Sequence, residues 1–169
     1  MKKNLVLLGM MAAGKTTLGK IVAKKQELKF IDIDTSIEKK NSMTIKEIFK
    51  KKGEKFFRME EEKEVLKSLE KNNCVIALGG GAFMNKTARE NILKNAISIW
   101  LNVDIKILNK RIKWNQKRPI LKEENSQKKI MKLYAERKAF YKLANHEIAC
   151  DNLTKEDIAE KIIALYEKY

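Results

Sequence analysis

The chain has 169 residues, 44% hydrophobic and 35% charged, which suits one domain with a substantial core. No apolar run reaches the ~20 residues of a membrane span, and the first run is too short for a secretory signal, so the expected compartment is the cytoplasm. The formal net charge is +15, but the lysines are scattered and sit beside glutamates, as in Glu60-Glu61-Glu62-Lys63-Glu64; this reads as a solvated surface that favours anionic substrates, without nucleic acid as a partner.

The apolar run Asn4-Leu5-Val6-Leu7-Leu8 predicts a first, buried parallel strand. Gly9-Met10-Met11-Ala12-Ala13-Gly14-Lys15-Thr16 follows it and leads into a helix ending near residue 26. Strand, G-x-x-x-x-G-K-[ST] loop and helix form the phosphate-binding P-loop in its required context. Backbone N–H groups and the helix N-terminus cradle phosphates there. The expected nucleotide contacts are Ala12, Ala13, Gly14, Lys15, Thr16 and Thr17, with Lys15 on the β- and γ-phosphates and the Thr16 hydroxyl on Mg²⁺. Ala12 is expected to avoid a strongly positive φ. Met10 and Met11 are expected to point away from the phosphates.

A second strand is predicted at 30–34, ending in Asp32 and Asp34. Two residues apart on an extended chain, these project to one side. One carboxylate there can hold Mg²⁺ and the other can bond a substrate hydroxyl; alternatively the pair caps the next helix. Short helices are predicted at 35–40 and 45–51, the second opened by Thr44 and Glu47 at capping-box spacing. Gly53 punctuates, and a long helix follows at 54–70.

Residues 74–78 predict a third strand, stopped by Gly79-Gly80-Gly81. Three glycines let a ligand approach the backbone closely, or make a flexible turn. A helix at 87–95, a strand at 96–101 and a helix at 103–114 come next. Residues 115–124 are polar and basic and hold the only proline, Pro119. A helix at 126–143, a fifth strand at 147–150 and a last helix capped by Thr154 complete the chain. Cys74 and Cys150 end apolar runs without metal spacing and read as buried, reduced thiols. His146 reads as a surface or strand-end residue. Alternating strands and helices predict an α/β three-layer sandwich with a five-stranded parallel sheet, a single P-loop NTPase domain over 1–169. Its ligands belong at the strand C-terminal ends.

Only five arginines stand among many lysines, and Arg58, Arg111, Arg118 and Arg137 lie beside these site elements. A guanidinium grips a carboxylate or phosphate in a bidentate way that lysine cannot. The long polar stretch at about 113–124, with Arg118, reads as a lid able to close over the phosphates.

Taken together, Gly9 to Thr16, Asp32-Ile33-Asp34, Phe57-Arg58-x-x-Glu61, Leu78-Gly79-Gly80-Gly81-Ala82, Arg118-Pro119-Ile120-Leu121 and Arg137 ahead of Tyr141 resemble the shikimate kinase family over nearly the whole length. The resemblance implies ATP- and Mg²⁺-dependent phosphorylation of the 3-hydroxyl of shikimate, on the route to chorismate and the aromatic amino acids. It implies Lys15, Asp34 and Arg118 as catalytic residues. Asp34 would bind the ring hydroxyls and be the candidate base, and Thr16 and Asp32 would serve the metal. Arg58 and Arg137 would pin the shikimate carboxylate. Gly79, Gly80 and Gly81 would contact the ring, Phe49 and Phe57 would line the pocket, and Arg111 would lie against adenine. Relatives imply a monomer. A gluconate-type kinase would share the P-loop but not the set Asp34, Arg58, Arg137 and the triple glycine. A basic P-loop ATPase acting on nucleic acid is the other rival. A GTPase is disfavoured, because Asn85-Lys86-Thr87-Ala88 lacks the guanine-reading aspartate.

Overall fold

A computed structural model describes residues 3–114 and 126–169. Strand β1 (Asn4–Leu8) lies at the centre of the sheet, and all its residues are buried. Its neighbours are β3 (Cys74–Ala77) and β4 (Ala96–Asn102); β2 (Lys29–Asp32) and β5 (His146–Ala149) form the edges, in the order β2-β3-β1-β4-β5. Every pairing is parallel, with Leu5 opposite Val75 on one side and Ile97 on the other. Parallel pairing requires crossovers, so the C-terminal ends of β1, β2 and β3 open on one rim. The continuous apolar run 4–8 follows from cover on both faces.

The covering helices are α1 (Lys15–Lys25), α2 (Ile33–Asn41), α3 (Ile45–Leu69), α4 (Lys86–Asn95), α5 (Ile105–Trp114), α6 (Ser126–Tyr141) and α7 (Lys155–Tyr166). Helix α1 packs with α7 on one face, and α3 packs with α4 on the other. Gly19 lets α1 settle onto the sheet, since a Cβ there would lie 2.4 Å from the Phe30 ring. Among the described residues no helix is long and apolar enough to cross a membrane.

Three boundaries differ from the sequence reading. The second strand stops at Asp32, and Ile33 already begins α2. Ile33 is fully buried, so the core captures it as a helical residue. The predicted helices at 45–51 and 54–70 are one element, α3, kinked at Gly53 (φ 83°, ψ 167°). That backbone region is open to glycine alone, so the chain turns without ending the helix. A short 3₁₀ turn, Ala82–Met84, follows the glycine run. Capping boxes at Thr44/Glu47 and Thr154/Asp157 start α3 and α7. Cys74 and Cys150 are buried, and burial pushes the Cys150 thiol up to about 11. His146 sits at the start of edge strand β5, its Nε2 3.0 Å from the Tyr169 hydroxyl.

Candidate active site

The loop after β1 is built from its own main chain. The Ala13 N–H donates to the Met10 carbonyl at 3.2 Å, closing a four-residue turn. Ala12, third in that turn, takes φ 62°. Ala12, expected to avoid a strongly positive φ, is therefore left-handed after all, as the third residue of a type II turn is. Alanine carries a steric cost of roughly 1–2 kcal/mol there. Exposed Arg111, on α5, donates from Nη1 to the Ala12 carbonyl at 3.2 Å and supports the turned peptide. Met10 and Met11 are buried, their side chains turned into the core.

Lys15 is buried, and its Nζ donates to the carbonyls of Gly9 (2.9 Å) and Met10 (2.7 Å). Gly14, Thr16 and Thr17 open α1, the latter two exposed at the helix N-terminus. The Thr16 hydroxyl donates to Asp32 Oδ2 at 2.6 Å, while Asp32 Oδ1 accepts the Thr35 N–H and caps α2. Asp32 is thus the helix cap that one of the two alternatives describes, with its second oxygen turned to Thr16. A hydroxyl and a carboxylate at the mouth of a phosphate loop are hard oxygen donors suited to Mg²⁺, which keeps several waters. Among the described residues no group of three or more His, Cys, Asp or Glu gathers into a protein-only metal site.

Asp34 does not share a strand face with Asp32. It stands in the first turn of α2, and its carboxylate turns to the glycine run: a Cβ on Gly79 would lie 2.7 Å from Asp34 Oδ1 and 2.6 Å from Glu61 Oε1. The helical turn beginning at Ile33 separates the two aspartates, one toward the phosphate loop and one toward the neighbouring strand end.

The other two glycines admit arginines. A Cβ on Gly81 would lie 2.4 Å from Arg58 Nη1, and one on Gly80 would lie 3.1 Å from Arg137 Nη1. The same Gly80 position is 3.5 Å from the Met11 amide nitrogen and 3.7 Å from the Gly9 carbonyl. The glycine run therefore forms a floor shared with the phosphate loop. Two guanidinium groups, from α3 and α6, lie against it. Phe57 is buried and Phe49 partly buried, with ring centroids 4.8 Å apart, and Arg58 sits 5.2 Å from the Phe57 centroid.

Two residues join this cluster that sequence reasoning left without a role. Glu61, one turn beyond Arg58 on α3, accepts from Arg58 Nη1 at 2.7 Å and is buried. The i, i+3 spacing was the available signal. Burial pushes the Glu61 carboxyl above its usual range, and the Asp34 charge adds to this against the pull of Arg58 and Arg137. Burial works against the Arg58 charge, yet Glu61 and Glu54 outweigh it and raise the guanidinium further. Tyr141, buried at the end of α6, donates its hydroxyl to the Gly80 carbonyl at 2.5 Å. Only its spacing from Arg137 marked it in the sequence. Arg118 and positions 115–124 of the expected lid lie outside the described residues.

The arrangement joins a P-loop to a polar cluster of two carboxylates, Asp34 and Glu61, and two guanidinium groups, Arg58 and Arg137. Known proteins are similar to this chain in sequence and fold. The shikimate kinase family model matches residues 11–167. Shikimate kinases from Sulfurihydrogenibium sp. (strain YO3AOP1) and Thermoanaerobacter pseudethanolicus are 41% and 40% identical over 95% and 97% of this chain, and over 96% of each relative. A structure of shikimate kinase from Acinetobacter baumannii in complex with shikimate superposes with TM-score 0.94 at 32% identity, covering 99% of this chain and 94% of that one. On the strength of the family match and of identity sustained over nearly the full length, this chain belongs to the shikimate kinase family.

Proposed function

We propose that this shikimate kinase moves the γ-phosphoryl group of ATP to the 3-hydroxyl of shikimate, giving 3-phosphoshikimate and ADP, and that it works as a cytoplasmic monomer. The observation that carries the choice of acceptor is the meeting of Arg58, Arg137 and Asp34 on one glycine floor beside the phosphate loop. A cyclic acid with several hydroxyls matches that set. Its carboxylate takes the two guanidinium groups, as bidentate donors allow, and its hydroxyls take Asp34.

In this reading the loop residues 12–17 enclose the triphosphate with main-chain N–H groups. The Lys15 ammonium turns from the Gly9 and Met10 carbonyls to the phosphate oxygens. Thr16 and Asp32 hold Mg²⁺, which when bound offsets phosphate charge. Arg111 lies beside adenine, and Arg118 approaches the transferring group. Phe49 and Phe57 form the apolar wall, and Gly79 to Gly81 let the ring sit low. Arg58 and Arg137 fix the acid end, so the 3-hydroxyl faces the phosphorus in line. Asp34 accepts the hydroxyl hydrogen as the new O–P bond forms and the bond to the β-phosphate oxygen breaks. Such transfers need alignment and charge more than covalent help.

A coupled assay of ADP release tests the reading with shikimate and gluconate side by side. Shikimate is expected to drive turnover and gluconate to leave it at background. Turnover with gluconate alone would reject the assignment.

A further inference from the structure

Helix α6 carries Arg137 to the glycine floor, and three side chains fix that helix. Tyr134, Arg137 and Tyr141 are spaced three and four residues apart, which puts them on one face. Near the start of the face, the Tyr134 hydroxyl donates to Asn102 Oδ1 at 3.1 Å, at the end of β4. At its end, the Tyr141 hydroxyl donates to the Gly80 carbonyl at 2.5 Å and lies 3.7 Å from Met10 Sδ. The Tyr141 ring rests on Trp100, centroids 5.8 Å apart.

Beside Tyr141, Phe140 supplies a second grip on the same turn. Its ring lies 4.9 Å from the guanidinium carbon of Arg89. Arg89 Nη1 in turn donates to the carbonyls of Phe83 and Met84, both at 3.0 Å. These are the last residues of the 3₁₀ turn that follows the glycines. The far end of α6 is therefore tied to the glycine run from two sides, one turn beyond Arg137.

We infer that Tyr141 is a positioning residue for the acceptor: by bonding the Gly80 carbonyl, it sets the height of the Arg137 guanidinium over the glycine floor. The inference rests on the reading above that Arg137 holds the shikimate carboxylate. The chemistry is consistent with a fixed strut. Burial pushes the Tyr141 hydroxyl up to about 12, so it remains a protonated donor at neutral pH. Its carbonyl partner belongs to the residue over which Arg137 lies, so a shift of that peptide moves the floor itself.

Tyr141→Phe removes the hydroxyl and keeps the ring. It is expected to raise the KM for shikimate about fivefold, the effect of one hydrogen bond, with the KM for ATP and kcat within about twofold. Tyr134→Phe removes the other hydroxyl anchor of α6 without touching the glycine turn, and is expected to leave the KM for shikimate unchanged. Phe140→Leu, an exposed change that weakens the Arg89 contact, is expected to shift that KM in the same direction as Tyr141→Phe, by less. In the Arg137→Ala background, Tyr141→Phe is expected to add almost nothing. An unchanged KM in Tyr141→Phe, an equal rise in Tyr134→Phe, or effects of Tyr141→Phe and Arg137→Ala that multiply would each overturn the inference while leaving Arg137 as the carboxylate ligand. A wild-type KM in Arg137→Ala would instead reject the reading of Arg137, and the inference with it.

Discussion

The two halves of the site are built differently. The phosphate half is one contiguous stretch, Gly9 to Thr17, whose groups hold one another: Lys15 on the Gly9 and Met10 carbonyls, Ala13 on Met10, and Thr16 on Asp32 from the next strand. The proposed acceptor half draws on α2, α3, the β3 turn and α6, residues from Asp34 to Tyr141. Its shape is set by what three glycines leave out. A main-chain cradle suits a ligand whose charge is the same in every nucleotide. Dispersed side chains suit the partner that tells one kinase of this fold from another. Damage to the acceptor half should therefore reach acceptor parameters and spare nucleotide binding.

The sharpest break of that division is Asp34→Asn. Turnover is expected to fall by ~10²- to 10⁴-fold, the range for a group that handles the proton in the transition state. ATP affinity, read by equilibrium titration, is expected to stay close to wild type. Retained turnover would remove Asp34 as base and as hydroxyl anchor. Arg137→Ala comes next. It deletes one charge-assisted contact and is expected to raise the KM for shikimate about 10- to 100-fold. Initial rates over both substrates check it, and a comparable rise in the KM for ATP would dissolve the division between the halves.

The same division explains what could be read from sequence. The phosphate loop was legible because its residues are adjacent and its flanks announce strand and helix. The parallel five-stranded sheet followed from continuous apolar runs alternating with helical periods. Ala12 was misread because propensity argues against a left-handed alanine, whereas the closing Ala13–Met10 bond and the Arg111 support are tertiary facts. Asp34 was assigned to a strand because Ile33 suits one; burial of Ile33 as the first residue of α2 decided otherwise. Glu61 and Tyr141 escaped because each acts on a partner brought close only by folding. Glu61 carried a weak local signal at i, i+3 from Arg58. For Tyr141, bonded to a carbonyl 61 residues earlier, the spacing from Arg137 marked the residue but not its partner.

Gly81→Ala probes the acceptor floor with a smaller change. Gly81 has φ −100°, which alanine adopts freely, so the backbone is not strained. The new Cβ would meet Arg58 Nη1 at 2.4 Å and its central carbon at 2.8 Å. The far end of that partly exposed side chain can swing aside, so folding should survive while the guanidinium loses its place. The KM for shikimate is expected to rise about three- to tenfold, with the melting temperature almost unchanged. A large loss of thermal stability with a normal KM would mean that Arg58 does not depend on this glycine.

The smallest effect concerns Glu61 and runs through pH. Burial raises its folded-state pKa above the ordinary 4.5. Between the ordinary value and the raised one the native state binds more protons than the unfolded chain, so stability falls as pH rises through that window. Below the window both states are protonated and the carboxyl costs nothing extra; above it the whole cost of the buried charge is present, lessened by Arg58. Glu61→Gln removes the titration. The melting temperature of the variant minus that of wild type is expected to climb, by a few degrees at most, as pH is raised from 4.5 through the window, whatever its offset at acid pH. Thermal melts in closely spaced buffers measure this. A flat or falling difference would mean that Arg58 and Arg137 outweigh burial at Glu61, making the carboxylate a stabilising charge in the acceptor half.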